Sequence, residues 1–196
     1  MEIGRLLTAM ITPFNENGDI NYEMAAKLSK AIVNSGSDGL VIGGTTGEAP
    51  TISDEEKLKL FSIVKESIGS ENALIAGTTN NDTKASIKLS KLAESENVDG
   101  LLLTVPSYNK PTQDGLYEHF KAISESVSIP CILYNVPSRT SLNMTDETTI
   151  KLSELENIVG IKEASNDLDQ ITRIINNSSD DFKVWSGNDN ETLYIM

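Results

Sequence analysis

Short apolar runs alternate with longer amphipathic stretches along the whole chain, and that alternation predicts its architecture. The apolar runs at 6–11, 39–43, 73–77, 100–105, 131–135, 158–162 and 183–186 read as strands. Between them, 22–35, 54–68, 83–96, 113–127, 146–155 and 167–177 read as helices with one apolar face. Ser53 and Glu56 have capping-box spacing at one helix start, and Thr145 and Asn166 are suited to N-cap two others. Acidic residues in those first turns complement the helix dipole.

Strict alternation of strand and helix, with strands apolar enough for burial on both faces, predicts a parallel sheet. A doubly wound open sheet and a TIM (β/α)8 barrel both satisfy this pattern. The nucleotide signatures of open sheets are missing: the segment 42–47, Ile-Gly-Gly-Thr-Thr-Gly, lacks the first glycine of G-x-G-x-x-G, and no G-K-[ST] occurs. Polar residues gather just after the strands, where barrel enzymes keep their chemistry. The barrel is the expected fold, as a single domain over residues 1–196. Only seven strands are present and the sequence stops in the helix that follows, so the barrel is expected to be truncated after the seventh strand.

Composition narrows the function. A net charge of −13 without a basic block disfavours nucleic acid and anionic membranes as partners. No apolar run approaches the ~18 residues of a bilayer span, and the first residues lack the pattern of a signal peptide. A single cysteine, Cys131, suits a reducing cytoplasm and is expected to fill the core at a strand start. With one cysteine and one histidine, His119, no zinc or iron cluster is expected, and His119 is expected in an ordinary structural role.

Lys162, near the end of the sixth strand, carries the most chemical information. A lysine entering an apolar environment loses stability as a cation and becomes a neutral amine, which condenses with carbonyl compounds through a Schiff base. With period two, Ile158, Gly160, Lys162 and Ala164 share a face. The alternative is a lysine that snorkels from a strand end into solvent. After the second strand, Gly43-Gly-Thr-Thr-Gly-Glu48 offers backbone N–H groups and the hydroxyls of Thr45 and Thr46 as an anion cradle. Tyr134 ends the fifth strand, Arg139 follows in a loop as a fork for a carboxylate, and Tyr108 lies in the proline-bracketed loop 106–111. Gly187 permits close backbone approach to a ligand.

In the segments Gly44-Thr-Thr-Gly-Glu48, Tyr134-Asn-Val-Pro-Ser-Arg-Thr140 and Gly160-Ile-Lys-Glu-Ala164, the chain resembles the dihydrodipicolinate synthase family, within the pyruvate-dependent class I aldolases. The similarity runs from residue 8 to residue 189. It implies that Lys162 forms a Schiff base with pyruvate. Tyr134, Thr45 and Tyr108 would form a proton relay, Tyr108 being supplied by a neighbouring subunit. Thr46 would bind the pyruvate carboxylate, and Arg139 that of aspartate semialdehyde. The implied product is 4-hydroxy-tetrahydrodipicolinate, on the route to diaminopimelate and lysine, made without metal or organic cofactor by a cytoplasmic homo-oligomer, a dimer or tetramer.

Two departures from the family pattern follow. Its members are longer and carry a C-terminal helical domain, which leaves a catalytically silent chain as one alternative. Where lysine-inhibited members place a serine, two histidines, a glutamate and a second tyrosine, this chain has Ala49, Asp54, Lys57, Ala85 and Ser107, with Asn81 retained. Lysine feedback is therefore expected to be weak or absent. Sugar-acid and neuraminate aldolases remain a further alternative, although they usually lack an arginine equivalent to Arg139.

Overall fold

Every predicted strand and helix forms in the computed structural model, which describes residues 3–196. The chain divides into two compact units, Met1–Thr78 with Leu89–Leu102, and Thr79–Lys88 with Leu103–Met196.

The first unit holds β1 (Leu7–Ala9), α1 (Tyr22–Asn34), β2 (Gly39–Ile42), α2 (Asp54–Ile68) and β3 (Ala73–Gly77), with parts of α3 (Thr83–Ser95) and β4 (Gly100–Thr104). Its ladders are parallel, pairing Leu7 with Gly39, Gly39 with Ala73 and Ile75 with Gly100. Leu40, Val41, Ile42, Leu74, Ile75 and Ala76 are all buried. Neither face of β2 or β3 is therefore left to water, which explains why these runs show no polar alternation. The capping box forms: Glu56 N–H donates to Ser53 Oγ at 3.2 Å, and Ser53 N–H donates to Glu56 Oε2 at 2.8 Å.

The second unit continues with α4 (Gln113–Ser124), β5 (Cys131–Asn135), α5 (Pro137–Thr140), α6 (Asp146–Ser153), β6 (Ile158–Glu163), α7 (Leu168–Asn177), β7 (Lys183–Ser186) and α8 (Thr192–Ile195). β5 pairs parallel with β6, and β6 with β7. Leu116, Phe120 and Ile123 of α4, Leu152 of α6 and Ile171 and Ile174 of α7 supply its buried helical faces. Cys131 is fully buried at the start of β5, as expected.

Strand order is β1 to β7 in sequence. A doubly wound sheet reverses its order at a switch point, so this uninterrupted progression decides for the barrel topology. Three sequence expectations need correction. β1 is confined to Leu7–Ala9, and Leu6 and Ile11, apolar but 58% and 56% exposed, lie outside the ladder. Asp167, not Asn166, caps α7 by accepting from Gln170 N–H at 2.9 Å, while Asn166 adopts φ 61° one residue earlier. The turn Ala49–Thr51 and helix α5 were not anticipated, being too short to display a helical period, whereas α8 is the helix expected after the seventh strand.

Candidate active site

The site in the second unit is built on three adjacent strand ends. Across β5, β6 and β7, Tyr134, Lys162 and Trp185 occupy one register row. The Lys162 Nζ lies 4.5 Å from the centroid of the Tyr134 ring. Room for this arrangement comes from glycine. A Cβ on Gly160 would lie 2.6 Å from Trp185 Cζ3 and would collide with the Lys183 carbonyl oxygen, so only glycine admits the indole beside β6. A Cβ on Gly187 would lie 3.2 Å from Lys162 Cε and 2.9 Å from the Ala164 Cβ. The expected close approach at Gly187 is thus to the lysine side chain itself.

Burial is the main force on the Lys162 amine and pulls its pKa below the ordinary lysine range. The Arg139 guanidinium pushes in the same direction, and the Asp189 carboxylate opposes both. The amine stands over the Tyr134 ring and burial dominates its pKa, which argues against the snorkelling alternative. Burial likewise raises the Tyr134 phenol, with Arg139 acting against it. Both groups are thereby biased towards their neutral forms. The period-two pattern read across 158–164 holds only in part, because a register shift between Cys131 and Ile132 interrupts it between Ile158 and Gly160.

The next register row is polar. Asn135 pairs with Glu163, and Glu163 with Ser186. Glu163 is 0% exposed, yet its carboxylate is well supplied with donors. Ala164 and Ser165 N–H each donate to Oε1 at 2.9 Å, Asn135 Nδ2 donates to Oε1 at 3.1 Å, and Gln170 Nε2 donates to Oε2 at 3.3 Å. Desolvation raises its pKa, and those hydrogen bonds act against the rise. Asn135 also donates to Asn143 Oδ1 at 2.8 Å and accepts from Met144 N–H at 3.0 Å, locking the segment beyond β5 to the base of β6.

Arg139 was expected in a loop. It sits instead in the one-turn helix α5, exposed, immediately beyond β5. Proline at the start of α5 supplies a φ already suited to a helix. Tyr108 is 92% exposed with φ 69° and makes no hydrogen bond to Lys162 or Tyr134. Thr45 and Thr46 belong to the first unit and are exposed in the turn after β2. There Gly47 and Ala49 N–H donate to Gly44 O at 3.1 and 3.3 Å, and Glu48 N–H donates to Thr45 O at 3.1 Å. Among the described residues, the N–H groups of Gly44, Thr45 and Thr46 donate to no carbonyl of this turn. Among the described residues no group of three or more His, Cys, Asp or Glu could hold a metal ion, and no helix is long and apolar enough to cross a membrane.

The sequence profile of the Dihydrodipicolinate synthetase family matches residues 2–196. This chain belongs to that family. The 4-hydroxy-tetrahydrodipicolinate synthase of Dehalococcoides mccartyi is 56% identical over 195 residues, which cover 100% of this chain and 66% of that relative. The chain thus spans just under two thirds of that curated relative's length. The crystal structure of a dihydrodipicolinate synthase from Bacillus anthracis superposes with a TM-score of 0.98 at 45% identity, covering 100% of this chain and 67% of that one. That of the chloride-inhibited enzyme from Acinetobacter baumannii, complexed with pyruvate, gives 0.96 at 38% identity, covering 99% and 67%.

Within this dihydrodipicolinate synthetase family member, three residues near the lysine had escaped the sequence. Glu163 lay inside the quoted Gly160–Ala164 motif, but the alternation of a strand places it one row from Lys162, and its buried network is assembled by Gln170 of α7 and Asn135 of β5. Trp185 was visible only as part of an apolar run. Asp189 lay in the stretch shared with the family, and its electrostatic reach to Lys162 depends on how β7 stacks beside β6.

Proposed function

We propose that this chain carries out Schiff-base condensation of pyruvate with L-aspartate-4-semialdehyde, giving 4-hydroxy-tetrahydrodipicolinate for diaminopimelate and lysine biosynthesis. The observation that carries the reading is the Lys162 amine, held below its ordinary pKa by burial and 4.5 Å from the Tyr134 ring centroid. A neutral amine attacks the ketone of pyruvate, and loss of water leaves an imine. Loss of a methyl proton then gives an enamine, whose carbon adds to the aldehyde. The amine of the second substrate finally displaces Lys162 and closes the ring.

Tyr134, Thr45 and Tyr108 serve as the proton relay in this proposal. Thr46 binds the pyruvate carboxylate, and Arg139 the carboxylate of the semialdehyde. The exposure of Tyr108 suits a side chain delivered to a neighbouring subunit of a homo-oligomer. In this proposal the enzyme is cytoplasmic, and residues 1–196 act as one catalytic domain. The pyruvate complex of the Acinetobacter baumannii relative supports pyruvate as the first substrate. Borohydride reduction in the presence of pyruvate is expected to add one reduced pyruvate to the peptide bearing Lys162. An unmodified Lys162 peptide would defeat the proposal.

A further inference from the structure

Tyr134 and Lys162 share one register row, and the residues that follow them, Asn135 and Glu163, share the next. Strand alternation sends this second row to the opposite face of the sheet, away from the amine. There it meets two residues from outside the strands. Gln170 of α7 donates through Nε2 to Glu163 Oε2 at 3.3 Å and to Met144 O at 3.2 Å, and its Oε1 accepts from Asn143 Nδ2 at 2.7 Å. Asn143 Oδ1 accepts from Asn135 Nδ2 at 2.8 Å. The backbone of Asn143 is held as well, since its carbonyl accepts from Gln113 Nε2 at 2.8 Å. Gln113 opens α4 and takes Thr145 N–H on its Oε1 at 3.1 Å. One connected set of hydrogen bonds therefore runs from the start of α4, through Asn143 and Gln170, to the residues directly behind Tyr134 and Lys162.

Stability alone gives little reason for this arrangement. Asn135, Glu163 and Gln170 are all buried, and apolar side chains of the same volume often match or exceed a buried charged network in stability. Hydrogen bonds supply direction instead: an apolar contact tolerates sliding, whereas a satisfied polar network fixes each group in distance and angle. Such precision matters here because β5 and β6 end at this row, and strand ends open readily unless they are held. We infer that Asn143 and Gln170 are positioning residues for Lys162. Acting through Asn135 and Glu163, they hold the ends of β5 and β6 in the register that sets the amine beside the Tyr134 ring. This inference rests on the proposed condensation and adds the residues that keep its nucleophile in place.

The test uses the full chain and follows formation of the pyruvate adduct on Lys162 in single turnover, quenched with borohydride, over a range of pyruvate concentrations. The parent is compared with Asn143→Ala, Gln170→Met and Arg173→Met. Arg173→Met is the control, because it removes the ion pair between α7 and Asp146 but no bond of the network. A role confined to folding lowers the amount of protein that can be trapped, whereas a positioning role lowers the rate constant of the protein that is folded. The rate constant at saturating pyruvate is expected to fall about tenfold or more in Asn143→Ala and Gln170→Met, with the half-saturating pyruvate concentration within about threefold of the parent's. Arg173→Met is expected to keep the parent's rate constant. Should Asn143→Ala fail to fold, Gln170→Met, which conserves volume, decides by the same criterion. A rate constant within about twofold of the parent's in the folded variants, or an equal fall in Arg173→Met, would overturn the positioning role and leave the condensation standing. A parent that forms no adduct would overturn both.

Discussion

Tyr134 and Lys162 are register partners on β5 and β6, and the lysine Nζ lies 4.5 Å from the centroid of the tyrosine ring. Burial acts on the two in opposite directions along the pH scale, lowering the lysine and raising the phenol. The chemical effect is the same for both, since each is driven to its uncharged form. A neutral amine can attack a carbonyl, and a neutral phenol beside it can donate a proton. Arg139 lowers both pKa values, helping to hold the amine neutral while restraining the rise of the phenol.

The lysine predicts a trade between activity and stability. The unfolded chain binds a proton at Lys162 more readily than the folded chain, so this residue makes stability rise with pH between the depressed folded pKa and the ordinary lysine range. Lys162→Met is expected to abolish the pyruvate adduct and raise the Tm at about pH 7. Melts at about pH 10 should show the gain shrinking, because there the parent's unfolded lysine is also losing its proton.

Gly187 should be intolerant of even one methyl group. A Cβ there would meet Lys162 Cε at 3.2 Å, Glu163 O at 3.1 Å and the Ala164 Cβ at 2.9 Å. Gly187→Ala is expected to displace the amine and slow adduct formation by about 10- to 100-fold, the scale of ångström-level misplacement. Single-turnover borohydride trapping reads this directly, and an unchanged trapping rate would contradict the geometry.

Glu163→Gln keeps the shape but reverses half the chemistry. One oxygen can still accept from Ala164 and Ser165 N–H, whereas the new amide nitrogen faces the Asn135 and Gln170 donors. A destabilisation of about 1–3 kcal/mol in urea unfolding is expected. Because the folded Glu163 pKa is raised, the parent should lose stability as pH rises through the window above the ordinary glutamate range. That slope should vanish in the variant.

His119 is buried with Nδ1 2.8 Å from Thr83 Oγ1 and no partner for Nε2. Burial depresses its pKa, so the unfolded chain takes the proton first as pH falls. Stability from the neutral ring is present above the unfolded value of about 6.5 and lost below it, down to the folded pKa. His119→Gln is expected to show a smaller drop in Tm between about pH 7 and pH 5 than the parent.

Lys57 and Asp54 lie 3.8 Å apart on α2, at the positions where the family resemblance leads one to expect the histidines of lysine-inhibited members. The pair places a cation, its pKa lowered mainly by burial, where a lysine ligand would bring another. Micromolar L-lysine is expected to leave the condensation rate unchanged; half-inhibition at that level would count against this.

The elements themselves were legible because their signals are local. Ser53 and Glu56 marked the start of α2, and the apolar runs at 73–77 and 131–135 coincide with β3 and β5 at both ends. Lys162 stood out because a lysine in a buried strand has few structural reasons to be there. α5 escaped because one helical turn has no period, and its Arg139 was consequently placed in a loop. Glu163 escaped because nothing in a strand's sequence says which distant amides will meet its carboxylate.

The sequence alone determined the βα repeat and the family, and singled out the amine on which the proposed chemistry rests, since propensity, periodicity and motif all act over a few neighbouring residues. The tertiary structure decided how charged that amine is. Its pKa depends on the burial achieved when β5 and β7 close around β6, and on Arg139 and Asp189 arriving from either side. Electrostatic free energy follows distance through space and the exclusion of water, and both are set only when strands far apart in the chain come into register.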